Sequence, residues 1–149
     1  MKKNVITLIP LLLITSCSSV NTNNMIIVEE SFNFASYKEE IIVMKTYEEF
    51  TSKVTNYKDI KGINEDYFIN YDLVSIFITS NAEESNNGIK FIKMEEVNNK
   101  YNFYFETYIE DEATDLAFFI NDINFQISKE YNMTKDNISI EVNRKIGKN

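Results

Sequence analysis

The chain contains no histidine, no tryptophan, one cysteine and one proline in 149 residues. Without histidine, neither a Ser-His-Asp triad nor a Cys-His pair can be assembled. The same absence removes zinc sites built on imidazole, and a single thiol removes those built on cysteine clusters. One cysteine also excludes an intramolecular disulfide, so packing alone must hold the fold. The only proline is Pro10, so none interrupts a strand or helix beyond it. Carboxylates, lysines and tyrosines are what remain for acid and base work. Two carboxylates can cleave a glycan, but only at a defined separation across the sugar, which a sequence does not display. The expectation is a protein that binds rather than catalyses, with no cofactor, no metal and no catalytic residue. A carboxylate-based glycan hydrolase is the alternative from another class, and a small-ligand-binding or adhesive protein is a third reading.

Positive charge is also in short supply: 15 Lys and Arg stand against 23 Asp and Glu, for a formal net charge of −8. Binding nucleic acid depends on clustered lysines and arginines that release counterions, so no nucleic-acid partner is expected. The acidity reads as a solubility device that also repels an anionic membrane surface.

The single cysteine has a distinctive setting. Lys2 and Lys3 form a short basic start, Val5 to Ile14 an apolar run too short to span a bilayer, and Thr15 and Ser16 are small residues just before Cys17. This pattern is a secretory signal, and Ile14-Thr15-Ser16-Cys17 resembles the bacterial lipobox. The resemblance implies cleavage before Cys17, diacylation of its sulfur and, often, acylation of the new amino group. A single acyl chain anchors only marginally, whereas two or three hold durably, at about 0.8 kcal/mol per buried methylene. An ordinary cleaved signal with a free thiol, an uncleaved anchor and a buried structural cysteine are the other readings. The organisation expected is a signal over 1–16, a lipidated tether over 17–24 and one β-rich domain over 25–149. Ser18 to Asn24 is polar and aperiodic, with a typical reach of about 15 Å as a flexible linker. The predicted location is a bacterial cell membrane or outer membrane, on the extracytoplasmic side, with a protein partner there.

Along the domain, Met25 to Glu29 and Glu40 to Lys45 are β-branched-rich runs of strand length. Thr46 followed by Glu49 is a capping-box pattern, and Tyr47, Phe50, Val54 and Tyr57 recur at helical spacing. After a polar loop near Lys61 to Glu65, Asp72 to Thr79 is apolar on both faces, as a central strand would be. Asn87-Gly88 is turn chemistry, and Gly88 to Val97 with Lys100 to Ile109 reads as a hairpin joined by two asparagines. In its second arm Tyr101, Phe103, Phe105 and Ile109 share a face. Ile123, Phe125 and Ile127 alternate with Asp122, Asn124, Gln126 and Ser128, and Ile138, Ile140 and Val142 with Ser139, Glu141 and Asn143. The predicted class is α+β and β-rich: a mainly antiparallel sheet or small sandwich with one amphipathic helix.

The order of a strand, the TYEEF helix start, DYFINYDLVSIFIT, NNGIKFIKMEEV, an aromatic strand and INDINFQISK resembles the C-terminal domain of PrcB-like lipoproteins. The resemblance covers roughly residues 40–129 and rests on element order and hydrophobic spacing. It implies a noncatalytic subunit of a bacterial surface protease complex. Two further features are candidate sites. Tyr104 and Tyr108 fall opposite the aromatic stripe of their strand, where they form either a contact platform, since tyrosine is enriched in interfaces, or a second packed layer. Glu106, Glu110, Asp111, Glu112 and Asp115 make the densest acidic stretch; its spacing does not match an EF-hand loop, and it reads as a solvated loop rather than a calcium site.

Overall fold

The structure is a computed structural model that describes residues 18–19, 25–81, 88–109 and 118–146. It contains the strands β1 (Ser18–Ser19), β2 (Met25–Val28), β3 (Ile41–Met44), β4 (Tyr71–Asn81), β5 (Lys90–Val97), β6 (Lys100–Ile109), β7 (Phe118–Ser128) and β8 (Ile138–Ile146). Between β3 and β4 lie two α-helices, α1 (Tyr47–Lys53) and the single-turn α2 (Tyr67–Asn70), with a 3-10 turn at Tyr57–Asp59 between them. The strands form two four-stranded sheets, ordered β1-β5-β6-β8 and β2-β7-β4-β3. The chain is thus a β-rich α+β sandwich, as its patterning predicts. Every pairing is antiparallel except β6 with β8, which run parallel.

The β2-β7-β4-β3 sheet is central because both its faces are covered. Val74, Ile76 and Ile78 of β4 with Phe125 and Ile127 of β7 meet Phe103 and Phe105 of β6 in one core. Phe103 and Phe125 approach to 5.2 Å between ring centroids, and Phe91 reaches Phe125 edge-on at 5.0 Å. On the other face, Leu73 and Phe77 of β4 bury against Phe32, Phe34, Phe50 and Phe68 from the segment before β3 and from the helices. Two covers explain why β4 is continuously apolar, since a strand sealed on both faces has no solvent side to mark with polar residues.

Local signals set the connections. Thr46 has the extended backbone of an N-cap, and its hydroxyl accepts from Glu49 N at 3.2 Å. The reciprocal arm differs from the expected box: the Glu49 carboxylate accepts from Lys45 N at 2.6 Å, one residue upstream of the cap. The helix buries Phe50 and ends at Lys53; Val54 is buried beyond it, bridged to Phe34. Asn98 and Asn99 both take positive φ, 54° and 60°, which is what a two-residue turn matched to the strand twist requires. Ser18 and Ser19, expected in the tether, pair with Glu96 and Glu95 at the β5 edge.

One polar position departs from its expected exposure. Asn124 alternates with apolar residues as a solvent-facing side chain should, yet it is only 3% exposed. Its face of β7 is the one shared with Leu73 and Phe77 of β4, which the segment before β3 and the helices cover. Burial is tolerated because Ser75 Oγ donates to Asn124 Oδ1 at 2.6 Å, and Asn124 Nδ2 donates to Asp122 Oδ2 at 2.9 Å.

Candidate functional site

The β1-β5-β6-β8 sheet covers the core with one face only; no described element packs on the other. Alternation along β6 puts Tyr101, Phe103 and Phe105 inward and Asn102, Tyr104 and Glu106 outward. Register then decides their neighbours. Tyr104 lies between Lys93 of β5 and Glu141 of β8, and Asn102 between Glu95 and Ser139, whose hydroxyl donates to Asn102 Oδ1. A β-bulge between Phe91 and Lys93 makes Ile92 an extra residue, 46% exposed, and brings Lys93 opposite Tyr104.

Tyr104 is held at both its face and its hydroxyl. Lys93 Nζ stands over the ring at 4.8 Å from its centroid, and the same ammonium pairs with Glu95 Oε1 at 2.7 Å. The Tyr104 hydroxyl donates to the Glu95 carboxylate, and this bond is the main reason its pKa is pushed up, helped by the charges of Glu95 and Glu141. Conversely, Lys93 and then Tyr104 hold the Glu95 carboxyl below the usual carboxylate range. Beside this group, an open depression of about 330 Å³ runs between Ile92, Tyr104, Glu106 and Glu141. Glu106 accepts from Lys145 Nζ at 2.6 Å on the same face.

The candidate residues thus separate. Tyr104 belongs to the exposed face and to neither buried core. Tyr108 is placed opposite Lys145 in the β6-β8 register, and its side chain lies outside the described residues. Cys17 and the acidic residues 110–115 also lie outside them. Among the described residues, no three His, Cys, Asp or Glu side chains converge as a metal site, and no helix is long and apolar enough to cross a membrane. Lys93 and Glu95 escape a reading of the sequence because only the bulge and the cross-strand register bring them to Tyr104. Their spacing of two along a strand was the available signal.

One further ionisable cluster lies at the opposite end of β4. Asp72 is 2% exposed, and its Oδ1 is 3.3 Å from Lys129 Nζ without hydrogen-bond alignment; Lys129 also donates to the Lys45 carbonyl at 3.0 Å. The nearby Tyr67 hydroxyl is buried with no hydrogen-bond partner, and burial, then the charge of Asp72, push its pKa well above the usual value. A buried carboxylate clamped by a lysine that also caps a backbone carbonyl ties β3, β4 and β7 together at their ends, which is a structural task.

Compared with known proteins, the chain matches no family model, no curated protein and no solved structure.

Proposed function

We propose that this protein is a lipid-anchored bacterial envelope protein that works as a noncatalytic binding or assembly subunit for another extracytoplasmic protein. Cys17 carries the anchor, and the outer face around Tyr104 is the contact surface. The observation that supports this best is the Lys93-Tyr104-Glu95 group. An aromatic ring fixed at its face and its hydroxyl on an uncovered sheet loses little conformational entropy when a partner docks, so its contact area converts efficiently into affinity. Asn102, Ser139, Glu141 and Asn143 surround it with polar groups able to form the hydrogen-bonding rim of an interface. The likeness to PrcB-like lipoproteins makes a surface protease the first partner to seek.

Two substitutions separate anchor from contact. Cys17→Ser should abolish fatty-acid labelling and release the protein from membranes; labelling that persists removes the lipobox assignment. Tyr104→Ala should leave labelling and fold intact while lowering recovery of a partner crosslinked in intact cells and isolated from detergent-solubilised membranes. If Tyr104→Ala retains its partner fully, the contact surface lies elsewhere. If instead the purified wild-type protein hydrolyses peptidoglycan and one carboxylate substitution stops it, the hydrolase takes the place of the binding subunit.

A further inference from the structure

Among the described strands four lie at sheet edges, and they differ in length: β1 has 2 residues, β2 and β3 have 4 each, and β8 has 9. Short edges present few unpaired backbone groups, which is one way natural sheets avoid joining each other. β8 lacks this protection. Its pairing with β6 is continuous from Ile138 to Ile146, without a bulge or a proline, and no described strand pairs with its far side.

The central sheet also withdraws beneath this edge. β3 pairs with β4 only from Leu73 to Ile76, while β4 continues to Asn81. The space left is a groove of about 460 Å³ whose lining includes Tyr37, Phe77, Ile120, Ile140, Val142 and Arg144. Tyr37 and Ile120 are 43% and 49% exposed there. Arg144 reaches across it to donate to the Thr79 carbonyl at 3.3 Å, on the uncovered stretch of β4. A strand approaching β8 along residues 140–146 therefore meets an open groove where a longer β3 would otherwise stand.

We infer that the occupant is a second copy of this chain, its β8 running antiparallel to the first about a twofold axis through Asn143. The charge pattern selects this register. With the axis at Asn143, Glu141 of each copy falls directly opposite Lys145 of the other, and both residues lie on the solvent side of the sheet. Moving the axis to Val142 sets Glu141 against Asn143, and moving it to Glu141 or Arg144 sets like charges face to face. In the Asn143 register Lys145 sits between Glu106 of its own chain, already 2.6 Å away, and Glu141 of the second copy, so its ammonium serves two carboxylates. The two outer sheets become one continuous sheet, and the surface around Tyr104 is presented twice on the same side.

The test uses the full chain in its native membrane. A cysteine introduced by Asn143→Cys lies opposite its own counterpart across the axis and should give a disulfide-linked dimer on mild oxidation. The unsubstituted chain reports any linkage through Cys17, and Glu48→Cys on α1 reports random collision. Adding Glu141→Lys should weaken dimerisation about tenfold by placing like charges opposite each other twice, and adding Lys145→Glu together with Glu106→Gln, so that no like charge faces the new carboxylate within its own chain, should restore it. Circular dichroism of each purified variant checks the fold. The inference is overturned if Asn143→Cys yields no more dimer than Glu48→Cys, if the charge reversal changes nothing, or if the new thiol links to a different protein.

Discussion

The Ser75-Asn124 pair offers the sharpest test of the three-layer arrangement, because it is worth nothing unless the helical layer excludes water from it. Ser75 is fully buried, and its hydroxyl donates to Asn124 Oδ1 at 2.6 Å. Ser75→Ala removes one oxygen, creates almost no cavity, and leaves the carboxamide oxygen without that donor. The expected cost is about 1–3 kcal/mol, the desolvation penalty of an unsatisfied buried acceptor. Urea unfolding of a domain this small has a slope of about 1–3 kcal/mol per molar, so a loss of ~2 kcal/mol should lower the midpoint by about 1 M. The decisive variant is the double one. Ser75→Ala with Asn124→Leu removes both polar partners at similar volume, and it should be less destabilising than the two single changes added together, with a coupling of about 0.5–3 kcal/mol. An unchanged midpoint for Ser75→Ala, or strictly additive single changes, would show that water reaches the pair and that the helices do not seal this face.

Two other perturbations probe separate parts of the molecule. Thr46→Ala removes the acceptor for Glu49 N at the start of α1 and should cost about 1 kcal/mol in chemical unfolding; an unaltered midpoint would place the helix start elsewhere. Burial first, and then the charges of Asp72 and Tyr71, hold the pKa of the Tyr67 hydroxyl well above that of an ordinary tyrosine. Above about pH 10 the unfolded chain loses this proton while the folded chain keeps it, so stability should fall as pH rises past that point and be independent of this group below it. Tyr67→Phe should flatten that alkaline decline and leave neutral-pH stability equal or higher, since the hydroxyl it removes has no partner. A clear loss of stability at neutral pH in Tyr67→Phe would refute the orphaned hydroxyl.

Much of the fold was legible because its signals are short-range. The Thr46 cap depends on residues three apart, the Asn98-Asn99 turn on two residues able to take positive φ, and the inward stripe of Tyr101, Phe103 and Phe105 on alternation alone. Periodicity assigns residues to a face, but it does not say what covers that face. Tyr104 and Asn124 both read as polar-side residues of their strands; the first stays on an open face, while the second is roofed by helices. Which outcome each received depends on segments distant in the chain, Phe32 to Phe68 for the roof and none of the described elements for the open sheet. The partners of Tyr104 followed from the bulge at Ile92, the parallel placement of β8 from chain topology, and the groove beneath its edge from the shortness of β3. Local chemistry selected the elements, and the pairing of distant strands decided their neighbours, because hydrogen bonds between strands join whichever residues the packed layers bring within reach.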